Sequence, residues 1–264
     1  MLYPARQSSR LIVKMAYALL AAAMVSGLSL GTVTQAAAQS KAASIVVDAN
    51  TGKTLYSSNA DAKRYPASLT KMMTLYMLFD AMASGKVSKS TPIPVSAYAA
   101  SQPPTKIGFK PGQTISAEAA ILSLITKSAN DSATAIGEYL GGSEQRFAVM
   151  MTNKARQLGM RNTQFRNANG LPDAQQHSTA RDLAVLGIAL REHFPQYYSY
   201  FSTRSFSYRG RRIVGHNPLL GKIEGVDGIK TGYTRMSGFN LVSSVNTDGK
   251  KMVAVVMGGK SGGS

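Results

Sequence analysis

Ser68 and Lys71 stand three residues apart in the stretch ASLTKMMT, where a periodic apolar pattern begins. Residues at i and i+3 share a helix face, so the hydroxyl and the amine fall side by side. A serine at a helix N-terminus also meets unpaired backbone N–H groups and the positive end of the dipole, which favour an oxyanion formed there. The lysine can take the serine's proton only when it is neutral, and burial or a neighbouring cation lowers its pKa toward that state. The pair would then be a nucleophile with its base. Taken alone the sign is weak, because both residues are common and S-x-x-K arises by chance about once in a chain of this size. By themselves these two residues read better as a capping serine beside a solvated lysine.

Two further short patterns could complete a site. Ser128 and Asn130 form S-x-N within KSAND, at a break between helical stretches, where side chains can project into a cleft. The same pattern recurs at Ser57–Asn59 and Ser244–Asn246, in strand-like settings, so context alone selects the first; an interhelix cap is its plainer reading. Lys230, Thr231 and Gly232 form K-T-G in VDGIKTGYT, at the head of a strand after the Asp227–Gly228 turn. Lysine and threonine can hold a carboxylate by charge and hydrogen bond, and glycine lets a substrate backbone approach. A strand with one exposed lysine explains this motif about as well.

The elements that must position these groups can be read from periodicity. ASIVVDANTGKTLYSSN is a hairpin turning at Asn50-Thr51-Gly52. YPASLTKMMTLYMLFDAMASG is a helix with its lead-in, ended by Gly85, and its Leu69, Met72, Met73, Met77 and Leu78 are core filling. Residues 91–113 are Pro- and Ser-rich and irregular, a length at which loops are usually functional or mobile. Residues 114–160 are helical, broken at KSAND and at Gly141-Gly142; a loop follows to Gln176, then a helix capped by Ser178 or Thr179 with Asp182 in its first turns. The remainder is strand-like. Met252 to Met257 is apolar throughout, which predicts a central strand buried on both faces with helices on each side. The fold class expected is α/β in layers: one antiparallel sheet built from the N-terminal hairpin and the C-terminal strands, flanked by helices, with a helical subdomain over it.

Composition bounds the function. The 264 residues carry 30 Lys and Arg against 13 Asp and Glu, a formal charge of +17. Such an excess suits an anionic partner. It is spread along the chain, with its densest run only at Arg209–Arg212, so a solvated basic surface is a better reading than a nucleic-acid patch. With no cysteine there is no disulfide, thiolate metal site or cysteine nucleophile. Arg6, Arg10 and Lys14 precede an apolar run from Met15 to about Val33, and the small-x-small pattern Ala36-Ala37-Ala38 follows. This is the layout of a secretory signal over residues 1–38, with a retained anchor as its alternative. The domain proper is expected at 39–264.

In chain order, and each in its own setting of helix start, helix break and strand, S-x-x-K, S-x-N and K-T-G make the combination that marks penicillin-binding proteins and class A β-lactamases. From Lys41 to Gly259 the chain resembles the serine-type D-alanyl-D-alanine carboxypeptidases, the low-molecular-mass penicillin-binding proteins, also through VVDANTGKTLYSSNADAKRYPASLTKMMT and NANGLPDAQQHSTARDLAVL. The resemblance implies a β-lactamase/penicillin-binding-protein-like fold and assigns roles. Ser68 attacks the carbonyl between two D-alanines, and Lys71 accepts its proton, kept neutral by Lys230. The N–H groups of Ser68 and Tyr233 form the oxyanion hole, and Ser128 relays a proton to the departing nitrogen. Asn130 holds the substrate amide, Lys230 and Thr231 receive the terminal carboxylate, and Gly232 and Tyr233 complete the substrate-binding set. The resemblance implies no metal or other cofactor. Its partners are peptidoglycan stem peptides, with β-lactams as covalent inhibitors, in a periplasmic or cell-envelope location. An anionic envelope surface is a further expected partner, and nucleic acid is not.

The chain departs from the family's usual form at Ala129, where Gly is common, and at Tyr233, where His is frequent. It also stops soon after a strand where relatives continue with a helix, which reads as a truncation; were the protein to end there, the sheet face around Leu241 to Val256 would be expected to be under-covered and the product poorly stable or inactive. Other chemistries fit less well. The G-x-S-x-G match at Gly27–Gly31 lies in the signal segment, and no H-x-x-x-H pair supports a zinc peptidase. His177, His193 and His216 read as surface, cap or loop residues. No E-x-x-L-N segment supplies a β-lactamase's deacylating glutamate. A related endopeptidase or transpeptidase, or a non-catalytic wall-binding protein of the same fold, remains as an alternative.

Overall fold

The computed structural model describes residues 42–261; the signal expected at residues 1–38 lies outside them. The chain enters as β1 (Ala43–Asp48) and returns as β2 (Thr54–Ser58). Asp48 organises the turn, its carboxylate accepting the N–H groups of Asn50 and Thr51. The C-terminal strands β7 (Val226–Thr234), β8 (Gly238–Thr247) and β9 (Lys250–Gly259) complete one antiparallel sheet in the order β2-β1-β9-β8-β7. β1 pairs with β9 through Ile45 opposite Val255, so the two chain ends meet as the hydrophobic pattern requires. The strand carrying K-T-G is therefore an edge strand, open on one side.

Between the two halves of the sheet lie the helices. A single 3₁₀ turn (Ala67–Thr70) runs into α1 (Lys71–Ala83), which is buried around most of its circumference, as an all-round apolar helix must be. Its methionines at 72, 73 and 77 fill the core. Next come β3 (Pro92–Pro94), α2 (Ala97–Ser101) and β4 (Thr114–Ser116), followed by α3 (Ala117–Ile125), α4 (Asn130–Gly141) and α5 (Glu144–Gln157). The last three pack on α1 as the helical subdomain. Then α6 (Ala180–His193), capped by the Thr179 hydroxyl, lies across β1 and β9. A short helical passage, α7 (Pro195–Tyr198) with a 3₁₀ turn at Ser199–Ser202, leads to β5 (Ser205–Tyr208) and β6 (Arg211–Val214).

Three expectations change. β9 is not buried on both faces: Val253, Val255 and Met257 are buried, whereas Met252, Ala254 and Val256 are half-exposed, as is Leu241 beside them. An unbroken apolar run reports hydrophobicity but not how many layers cover it. β5 and β6 pair only with each other, as a separate hairpin. The Pro- and Ser-rich stretch is likewise not irregular throughout, since it holds β3 and α2.

Candidate active site

Lys71 is fully buried, which removes the reading of a solvated helix lysine. It opens α1, while Ser68 sits in the preceding 3₁₀ turn, so the pair straddles the junction of two helix types. Three groups surround the Lys71 amine: Asn130 Oδ1 at 2.7 Å, the Asn169 carbonyl in a short contact, and Ser68 Oγ at 3.3 Å. The first two can only accept. A neutral amine has two N–H bonds and one lone pair. If both N–H groups serve the amide and carbonyl oxygens, the lone pair faces Ser68 and can receive its proton. Burial drives Lys71 well below the ordinary lysine range, and the nearby Lys230 adds to this; Asp131 and Glu144 pull the other way. Desolvation is thus the larger cause and Lys230 the second.

The break between α3 and α4 brings up the S-x-N residues. Ser128 adopts a left-handed backbone at φ 57, which costs about 1 kcal/mol outside glycine. It lines the cleft, and its hydroxyl has no hydrogen-bond partner among the described residues. Asn130 opens α4 and is nearly saturated: besides Lys71 it donates its side-chain N–H to the Pro103 carbonyl and its backbone N–H to that of Thr105. Asp131 behind it accepts from the N–H groups of Ile107 and Gly108, tying the 103–108 loop over the motif.

The edge strand β7 closes the other side. Lys230 is buried, its pKa pushed down to about 7 by desolvation, and it donates to the Thr231 carbonyl rather than into the cleft. Thr231, Gly232 and Tyr233 line the cleft. Gly232 is dictated by distance: a Cβ there would stand 3.0 Å from the Ser68 nitrogen and 3.2 Å from that of Leu69. Gly170 is dictated more sharply, since it has φ +86 and a Cβ would collide with the Ala67 carbonyl. Through these two glycines the strand and the NANGL loop press on the nucleophile's own turn, where Ala67 is held at φ 49. Ser68, Ser128, Asn130 and Thr231 thus converge on one cleft of about 520 Å³, with Lys71 beneath it.

Some residues of the site were not anticipated. The Asn169 carbonyl holds Lys71 from 98 positions along the chain, and no spacing rule reaches that far. Pro104 and Thr105 line the cleft from the long irregular stretch, whose length was the usable signal. His216, read from sequence as an ordinary loop residue, also lines it; desolvation, then Lys230 and Lys127, lower its pKa. His193 instead bonds Tyr76, and His177 folds onto the Gln175 carbonyl.

Known proteins resemble this chain in sequence and fold. Residues 31–261 match the family model described as D-alanyl-D-alanine carboxypeptidase. The chain is 37% identical over 224 residues to the D-alanyl-D-alanine carboxypeptidase DacA of Escherichia coli, covering 82% of this chain and 56% of that protein. It thus spans little more than half the length of that relative. Penicillin binding protein 6B of Escherichia coli superposes with a TM-score of 0.79 at 34% identity, over 84% of this chain and 72% of that one. A penicillin-binding protein of Listeria monocytogenes in its cefotaxime-bound form gives 0.72 at 29% identity, over 90% and 93%.

Proposed function

Since this chain belongs to the D-alanyl-D-alanine carboxypeptidase family, we propose that it is itself a serine carboxypeptidase that removes the terminal D-alanine from peptidoglycan stem peptides, and that penicillins acylate it. The observation that carries the reading is the Lys71 amine, with two acceptors occupied and Ser68 Oγ at 3.3 Å. Ser68 Oγ attacks the carbonyl carbon of the penultimate D-alanine while its proton passes to the Lys71 lone pair. The oxyanion that forms would be met by the backbone N–H groups of Ser68 and Tyr233; the tight approach of Gly232 to the Ser68 nitrogen supports that pairing. Ser128, with its unpartnered hydroxyl, gives its proton to the departing amine and takes up the one held by Lys71, and the C–N bond breaks to leave an ester on Ser68 beside a neutral Lys71. Asn130 orients the peptide amide; Thr231 and Lys230 receive the terminal carboxylate. Water then attacks the ester, one of its protons passes through Lys71 to the Ser68 oxygen as the acyl–oxygen bond breaks, and the shortened peptide leaves. A β-lactam ring presents the same carbonyl, and its opened amine stays tethered.

A substrate outside the cytoplasm, together with the secretory layout read at residues 1–38, supports a location in the cell envelope. The basic excess serves the same setting. Residues 203–223, which run past the cleft through His216 and Leu219, hold five lysines and arginines and no acid. Charge of one sign along a cleft rim raises the local concentration of an anionic polymer, and salt screens it.

The test is D-alanine release from a peptide ending in D-Ala-D-Ala. Wild type should release it and the Ser68→Ala protein should not, at unchanged melting temperature. Equal release by both would remove Ser68 from the reaction. Raising the salt should weaken association with wall material; salt-independent association would dismiss the electrostatic part.

A further inference from the structure

Glu144, at the first position of α5, is 4% exposed and has no part in the chemistry above. Its carboxylate gathers four donors. Oε1 accepts from the Thr134 hydroxyl at 3.0 Å, the Ala168 N–H at 3.1 Å and the Asn169 side-chain amide at 3.2 Å; Oε2 accepts from the Tyr98 hydroxyl at 2.8 Å. Asn169 is the residue whose carbonyl takes a hydrogen bond from Lys71. The other donors to Glu144 brace the same place: Ala168 is its chain neighbour, and Thr134 also accepts from the Asn169 amide at 2.9 Å. We propose that Glu144 is a positioning residue for the Lys71 base, fixing through Ala168 and Asn169 the carbonyl that aims the lysine lone pair at Ser68. This rests on the reading of Ser68 and Lys71 as nucleophile and base.

Glu144 also acts through its charge. Among the described residues no lysine, arginine or histidine lies within ion-pair distance of Glu144. A buried carboxylate without a cation is costly, and a neutral amide could brace the loop more cheaply. The helix N-terminus repays part of that cost. The rest acts on Lys71. The charged groups around that amine are Lys230 from β7, Asp131 from α4 and Glu144 from α5. Burial and Lys230 favour the neutral amine; the two acids restrain them, so the lysine remains basic enough to accept a proton.

The experiment measures the rate of Ser68 acylation by a fluorescent penicillin against pH, with melting temperatures, for wild type, Glu144→Gln and Glu144→Asp. Glu144→Gln keeps shape and loses charge. Its acid limb should move to lower pH by about one unit, because Lys71 loses a neighbour that favours its protonated form. Glu144→Asp keeps charge and loses reach. Its limb should stay in place while its plateau falls about tenfold, as the carbonyl under Lys71 loses its brace. A limb unmoved in Glu144→Gln, or an undiminished plateau in Glu144→Asp, overturns the proposal even if either variant melts earlier. Failure of wild type to acylate at all would instead overturn the reading of Ser68 and Lys71.

Discussion

The two sides of the cleft contain one buried lysine each, and they are built on opposite terms. On the helix side Lys71 is held by a side-chain amide, a backbone carbonyl and the serine hydroxyl, with charges of both signs near it. On the strand side Lys230 has one hydrogen bond, to the carbonyl of its own neighbour, and only burial lowers its pKa. Around it the surface is open: Tyr233 is 55% exposed, and His216 stands exposed at the rim. The helix side is organised before substrate arrives, as a proton transfer requires. The strand side keeps its donors weakly engaged, as befits groups that must turn to a ligand. A residue type says little about its task here; the number of partners it already has says more.

Damage on the helix side should therefore far exceed damage on the strand side. Lys71→Arg should lower acylation about 10²–10⁴-fold at every accessible pH, because a guanidinium cannot give up its proton; a loss below tenfold would show that Lys71 is not the base. Gly232→Ala pushes β7 against the Ser68 turn and should cost up to about 10²-fold in acylation while the protein still folds. Penicillin labelling at the wild-type rate would mean that the strand's approach is not needed.

Lys230 also couples stability to pH. In the fold Lys230 titrates near 7, against 10.5 for a free lysine. Between those values the unfolded chain holds a proton that the folded chain has lost, so stability rises with pH across this window. Below about 7 both states are protonated, and this group adds no further slope. Lys71, also lowered, acts in the same direction. The melting temperature should climb from pH 7 to pH 10, and Lys230→Met should flatten the climb; an unchanged slope would contradict burial of the amine. The smallest effect is expected at the rim. His216→Asn should change KM for a D-Ala-D-Ala peptide by less than about fivefold at pH 7, where exposure and solvent screening keep any charge effect small.

How much of this could be read beforehand differs along the same line. Ser68 and Lys71, and the three-motif order, rest on local spacing, which survives folding unchanged. The sheet of chain ends was legible because β1 and β9 both carry patterns that need a partner. What could not be read depends on pairings across the chain: the Asn169 carbonyl on Lys71, the Glu144 hub, and His216 at the cleft. Burial on both faces of β9 was expected from an apolar run, but the cover over Val256 depends on other segments, and residue type does not report them. The separate β5–β6 hairpin was missed as such for a related reason. Strand character is local, whereas sheet membership is decided by which edge is free.

The central claim is that Lys71 is neutral in the fold and takes the Ser68 proton. The most direct test is mass spectrometry of the penicillin adduct formed between pH 5 and pH 10, with Ser68→Ala alongside. The account predicts an adduct on Ser68 only, none in Ser68→Ala, and a rate whose acid limb lies well below the 10.5 of a free lysine. An adduct on another residue, or a rate that rises only as a free lysine titrates, would contradict it.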